Sequence, residues 1–259
     1  MLIDSHAHLT SPEVLPHLDR ILTRAKVAGI SHILNICTDP GSLREGLLLS
    51  LNHPNIQNAG DTTPHDVLAE GESAFAHFET AVREGKLSAV GETGLDYHYE
   101  HSPKDLQQHF LKRYLHLASA SHLPVIFHCR DAFSDLFAIA DSEYKGKAIL
   151  HCFTGTMQEA EEVLKRGWYL SLSGIVTFKK SETLRQVAKE TPLSQLLIET
   201  DTPYLAPQSH RGQPKSLRGR ERRSLLGRFV WLGPALSHSR WRPRPRRRRG
   251  RDGGSPATG

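Results

Sequence analysis

The residues of this 259-residue chain best able to do chemistry are imidazoles and carboxylates that stand at the ends of short apolar runs. The first run closes on Asp4-Ser5-His6-Ala7-His8. In an extended strand residues two apart face the same side, so His6 and His8 aim both rings one way and form a chelating pair. Further along, Gly91-Glu92, Phe127-His128, Leu150-His151 and Glu199-Thr200-Asp201 end four other runs in the same manner. The set His6, His8, Glu92, His128, His151 and Asp201 supplies four nitrogens and two carboxylates. That mixture suits one or two divalent cations of borderline character, Zn²⁺ or Mn²⁺, with Mg²⁺ less natural where imidazoles dominate. A carboxylate in such a set can bridge two ions about 3.5–4 Å apart. A His-x-His pair alone is a weak signal, and His17, His53, His77, His109 and His116 all fall in helical or loop stretches. Five strand ends that all carry ligand-type residues form a much more specific pattern.

Something must bring those ends together. Eight apolar runs read as strands: Leu2–Ser5, Ser31–Cys37, Ile56–Asp61, Ser88–Gly91, Pro124–His128, Ala148–Cys152, Tyr169–Ile175 and Leu196–Glu199. Many are almost continuously apolar, as strands covered on both faces of a parallel sheet must be. Helical patterns alternate with them. One opens at Ser11-Pro12-Glu13 and stops at Gly29, and a long one opens at Ser102-Pro103 with Leu106, Phe110, Tyr114 and Leu117 on one stripe. Others cover about 42–51, 66–83, 132–140, 156–166 and 182–189. Eight strands alternating with seven helices predict an α/β fold of the (β/α)₈ TIM-barrel type, with its active site at the C-terminal strand ends. A doubly wound open sheet is the alternative, weakened because no glycine-rich phosphate loop follows the first strand.

Composition narrows the class. No apolar run approaches the about 18 residues of a membrane span, so no membrane role is expected. Three cysteines without CxxC spacing exclude a disulfide scaffold. Strand parity points Cys129 and Cys152 away from the mouth, as core thiols. The start at Met1 shows no basic segment followed by an apolar one, which points to a cytoplasmic protein. The net charge of +5 conceals two parts: residues 214–259 hold 14 of the 33 Lys+Arg and 2 of the 28 Asp+Glu, leaving 1–213 at −7. The chain therefore reads as a hydrolase barrel over 1–213 and an Arg/Gly/Pro-rich, disordered tail over 214–259 that stands in place of the closing helix. Arg246 to Arg249 form a self-repelling run. The tail reads either as a nucleic-acid-binding arm or as an out-of-frame end. The second reading leaves apolar barrel surface uncovered, at about 25 cal/mol per Å².

The segments DSHAHL, GETGLDYH, PVIFHCRDA, HCFTG and ETDTPYLAPQSHRG are similar to those of the TatD family of metal-dependent deoxyribonucleases, among the amidohydrolase-like barrels. The resemblance runs from Leu2 to about Pro214. It implies a divalent-metal-dependent hydrolase that cleaves phosphodiester bonds in DNA. His6, His8 and Asp201 would hold a first cation, Glu92 would bridge, and His128 and His151 would hold a second. Asp201 and Glu92 are then the catalytic residues, with Asp201 placed to take a proton from water as general base. Arg130 and Arg211 could clamp phosphate with paired donors, or form structural salt bridges with the acidic body. His65 is a further substrate-binding candidate: where the family often has Gly-x-His-Pro-His, this chain reads Gly60-Asp61-Thr62-Thr63-Pro64-His65, so one histidine is replaced by Thr63. An acidic body is a poor general surface for duplex DNA, which favours a single-stranded substrate. A hydrolase of another ester or amide, a binding protein acting through the tail, and an inactive product remain as alternatives on the sequence alone.

Overall fold

Parallel strands cannot be joined by tight turns, so each apolar run must be followed by a crossover before the next one can pair. The computed structural model, which describes residues 2–211, realises this seven times over. Strands β1 (Leu2–Ala7), β2 (Ile30–Cys37), β3 (Ile56–Gly60), β4 (Ala89–Asp96), β5 (Val125–Arg130), β6 (Ala148–Leu150), β7 (Tyr169–Leu172) and β8 (Leu196–Ile198) pair in sequence order, every ladder parallel. Between them lie α1 (Leu18–Val27), α2 (Pro40–Asn52), α3 (Val67–Arg83), α4 (Lys104–Ser121), α5 (Phe133–Glu143), α6 (Met157–Lys165) and α7 (Glu182–Glu190). This is the (β/α)₈ barrel. The expected tail over 214–259 lies outside the described residues. No helix among the described residues is long and apolar enough to cross a membrane.

The barrel closes at its first and last strands by a different means from the other seven junctions. Here Ala7 and Thr202 form a single bridge, and Asp201 N–H donates to the His6 carbonyl at 2.9 Å. The buried Asp4 carboxylate accepts from the Thr200 N–H at 2.9 Å and from its hydroxyl at 2.7 Å. Ser5 Oγ donates to the Ile198 carbonyl at 3.0 Å. Side chains thus complete a seam that the short β8 cannot complete with backbone alone.

The main core lies between the strands and helices. Phe78, Leu111, Tyr114, Leu115, Phe127 and Leu136 are wholly buried there. Local chemistry sets the helix starts. Asp39 caps α2 by accepting from Gly41 and Ser42 N–H at 2.7 and 2.9 Å, and Thr156 with Glu159 forms a reciprocal cap on α6.

Several boundaries differ from the sequence reading. The first helix does not open at Ser11-Pro12. Pro16 lacks the N–H that a helix interior needs, so a short 3₁₀ turn over Leu15–His17 intervenes and α1 begins at Leu18. Ser102 does not cap its own helix. Its hydroxyl accepts from Leu68 N–H at 3.2 Å and donates to the His65 carbonyl at 2.8 Å, so it supports the start of α3 instead. β6 ends at Leu150 and β7 at Leu172, each shorter than read. β4 is longer, continuing past Gly91 to Asp96.

That extension depends on glycine. At both Gly91 and Gly94 an added Cβ would collide with the β5 backbone, at the Ile126 and His128 carbonyls respectively. The missing side chains let β4 lie close against β5, and the register shifts between Val90 and Thr93. Replacing Gly94→Ala is expected to cost about 2–4 kcal/mol, read as a lower urea midpoint with an unchanged slope. A variant unfolding at the same urea concentration as the parent would show that β4 needs no such approach.

Candidate metal centre

The C-terminal ends of β1, β4, β5, β6 and β8 converge, and the six residues singled out from the sequence meet there. His6 and His8 come from the end of β1 and Glu92 from β4 just after Gly91. His128 comes from β5, His151 follows β6, and Asp201 follows β8 with a left-handed φ of +51°. Glu92 lies at the centre. Its Oε2 is 3.2 Å from His6 Nε2 and 3.6 Å from His8 Nε2, while its Oε1 is 2.7 Å from His151 Nε2 and 3.1 Å from His128 Nδ1. Asp201 Oδ1 completes the first group, 3.7 Å from His6 Nε2 and 3.4 Å from His8 Nε2.

Two nitrogen pairs also face each other, His6 Nε2 with His8 Nε2 at 3.2 Å and His128 Nδ1 with His151 Nε2 at 3.4 Å. Donors bound at about 2.0–2.1 Å around one tetrahedral ion stand about 3.3–3.4 Å apart. The separations in each group lie around that figure. The donor chemistry fits as well, since the imidazole nitrogens of His6 and His8, and those of His128 and His151, gather within 4.8 Å of one another around the Glu92 carboxylate. The residues present therefore suit one divalent cation held by His6, His8, Glu92 and Asp201, and a second held by Glu92, His128 and His151. Zn²⁺ and Mn²⁺ match this donor set better than Mg²⁺.

Electrostatics prepare the ligands. Burial, helped by the neighbouring His151, lowers the pKa of His6 to about 4, so the His6 ring is neutral at pH 7 with a lone pair to offer. Burial alone would raise the pKa of Glu92, but His151, His6 and the hydrogen bond with His128 outweigh it. They hold the carboxyl well below its usual range, so Glu92 stays ionised although buried. For His8, burial opposes the charge and the Asp201 and Glu92 carboxylates together more than compensate, so its pKa rises.

Two further carboxylates stand behind the histidines. Asp96 Oδ2 is 3.0 Å from His128 Nε2, and Glu199 Oε1 is 3.3 Å from His151 Nδ1 while accepting the Cys152 N–H at 2.7 Å. Asp96 hydrogen-bonds the His128 ring and Glu199 faces the His151 ring as an ion-pair partner, each at the nitrogen opposite the one that faces Glu92, the arrangement that raises ligand basicity in metal sites. The sequence reading missed both roles. The available signal was that Asp96 and Glu199 stand in the same strand-end segments as Glu92 and Asp201. Cys152 also departs from the reading. It is not part of the strand–helix core: its φ is +43° and its thiol meets Ser173 Oγ at 3.2 Å. Cys129 does lie in the core.

The remaining candidates sit at differing removes. His65 Nε2 is 3.5 Å from Asp96 Oδ2, and its ring lies 5.4 Å from that of His128. Arg130 places its guanidinium 5.1 Å from the Tyr99 ring centroid, two residues beyond His128. Arg211 is exposed and lies 4.3 Å over the Phe178 ring. Because a cation binds the folded state and not the unfolded chain, MnCl₂ at about 100 times its Kd should stabilise the protein by about 2.7 kcal/mol. A thermal melt should show a raised Tm relative to protein in EDTA, and Glu92→Gln should lose most of that rise. An equal rise in the variant would remove Glu92 from the ligand set.

Comparison with known proteins agrees with this geometry. The sequence pattern of the family described as "TatD related DNase" matches residues 3–219. The chain is 36% identical over 215 residues to the uncharacterized metal-dependent hydrolase YabD of Bacillus subtilis (strain 168), covering 82% of this chain and 84% of that protein. It is 32% identical over 220 residues to the 3'-5' ssDNA/RNA exonuclease TatD of Cronobacter sakazakii (strain ATCC BAA-894), covering 84% of each. The crystal structure of YJJV, a TatD homologue from Escherichia coli K12, superposes with a TM-score of 0.77 at 28% identity, over 82% of this chain and 83% of that one. Sequence pattern, relatives and barrel agree, and the chain belongs to the TatD family of metal-dependent hydrolases.

Proposed function

We propose that the protein is a divalent-cation-dependent nuclease that hydrolyses phosphodiester bonds in single-stranded DNA. The observation that carries this reading is the Glu92 carboxylate, which offers one oxygen to the His6/His8/Asp201 group and the other to the His128/His151 group. Two adjacent cation positions sharing one carboxylate suit in-line displacement at phosphorus. The exonuclease named among the relatives supports the choice of substrate.

When bound, the cations supply Lewis acidity towards phosphate oxygens and water. The protein's own groups do the rest. His6, His8, His128 and His151 hold imidazole nitrogens in place, and Glu92 would offer one carboxylate oxygen to each cation position. Asp201 is held by its N–H bond to the His6 carbonyl, with its carboxylate beside His6 and His8, and takes the proton of the attacking water. His65 and Arg130, on the β4–β5 side of the mouth, bind substrate phosphate, and Arg211 is a more distant candidate for the same task. Asp96 and Glu199 position His128 and His151 and touch no substrate.

The reading is tested by cleavage of a labelled single-stranded oligonucleotide in MnCl₂ with and without EDTA. Cleavage should require the cation, and Glu92→Ala should lose at least about 10³-fold in kcat/KM. Full activity of that variant, or cleavage in EDTA, would overturn the assignment. Removing a positioning carboxylate is milder: Glu199→Gln should lower cation affinity or activity by about 10–100-fold, measured by titrating MnCl₂ against rate. A variant saturating at the parental concentration with the parental rate would deny Glu199 that role.

A further inference from the structure

Aromatic side chains belong in cores, and among the described residues most of them are buried or half-buried. Among the described Phe, Tyr and Trp residues only Tyr99 and Tyr204 are exposed, at 53% and 48%. Both stand at the mouth of the barrel, each three residues beyond a carboxylate of the site, Tyr99 after the positioning Asp96 on β4 and Tyr204 after Asp201 behind β8. In a ring of eight strands β4 and β8 lie opposite one another, so the two tyrosines flank the centre from opposite sides.

Their contacts confirm that they border it. The Tyr204 ring meets the His8 ring edge-on with centroids 5.6 Å apart. The Tyr99 ring meets His65 at 5.8 Å, and His65 in turn meets His128 at 5.4 Å. Tyr99 is backed by a parallel ring, His101, at 5.6 Å and 6° between planes, and by the Arg130 guanidinium at 5.1 Å. One side of the mouth thus carries Tyr99 with the parallel His101 ring and the Arg130 guanidinium over it, and the other carries Tyr204 against His8.

Large exposed rings placed on either side of a polar centre suit a ligand that alternates flat apolar faces with an anionic link. We propose that Tyr99 and Tyr204 are stacking posts that hold the nucleobases on the two sides of the phosphate at Glu92. This rests on the nuclease reading and extends it to how the strand is gripped. Stacking accepts any base, because every base has a π-face. It also excludes a regular duplex, in which the bases are paired and stacked on one another. The charge balance points the same way. With residues 1–213 at −7, a broad basic surface is absent from the barrel's sequence, and base stacking supplies affinity that the backbone phosphates do not.

The test uses the full chain with Tyr99→Ala, Tyr204→Ala, the double variant and the matching Phe variants, all checked for parental Tm. Substrates are a single-stranded oligonucleotide and the same strand with abasic residues on either side of the cleaved bond. Each Ala variant should raise KM about tenfold, with the effect on KM rather than kcat, and each Phe variant should restore the parental value. On the abasic strand parent and Ala variants should have the same raised KM. Binding of the intact strand in EDTA, followed by fluorescence anisotropy, should weaken in parallel.

If the parent cleaves the intact strand and the double variant does so with unchanged KM, the stacking posts are overturned and the nuclease reading stands. A loss that is equal on intact and abasic strands also overturns them. If the parent neither binds nor cleaves DNA or RNA, the nuclease reading fails and the stacking posts fall with it.

Discussion

A single buried anion organises the functional end of this protein. Glu92 has left water almost entirely, and an isolated carboxylate in that position would carry a desolvation penalty of several kcal/mol. Four imidazoles surround it at 2.7 to 3.6 Å, and they reduce that penalty enough to keep the group ionised. No single strand could supply four imidazoles around one carboxylate. They arrive from β1, β5 and the end of β6, which requires those strands to point the same way and end at the same level. The parallel barrel meets that requirement, and the close approach of β4 to β5 at Gly91 and Gly94 sets the depth of Glu92.

Much of this was legible in the sequence because two different periodicities coincide. The apolar runs gave the strand count and their order, since a run buried on both faces needs no partner information to be recognised. The six central residues were legible because ligand-type side chains are rare at the ends of such runs and recur here five times. What stayed hidden depends on contacts between segments far apart in the chain. Asp4 looks like one more potential ligand beside His6, yet it bonds Thr200 and holds the seam. Asp96 and Glu199 look like ordinary strand-end acids until His128 and His151 are placed against them. Ser102 stands at the opening of its own helix, as the sequence suggests, and also supports the start of another.

Boundaries failed where one residue outweighed a periodic pattern. Pro16 delayed α1 against an otherwise acceptable start at Ser11-Pro12-Glu13. Glycines that normally end a strand instead prolonged β4, because their missing side chains were used for close packing rather than for a turn. Cys152 defeated the parity argument for the same kind of reason: parity holds only while the strand continues, and β6 stops at Leu150.

The seam between β1 and β8 also bears on how the molecule assembles. The groups that close it are separated by 193 and 196 positions in sequence, and the same short segment that closes it carries Asp201. Contacts of such long range form late, after the loop entropy of the intervening chain has been overcome. During synthesis the seven earlier ladders can form in order as the ribosome delivers them. The last junction waits for residues 198–202, and the full set of central ligands waits with it. A nascent chain therefore passes through most of its folding with its ligand set incomplete, and gains the set in the step that shuts the barrel.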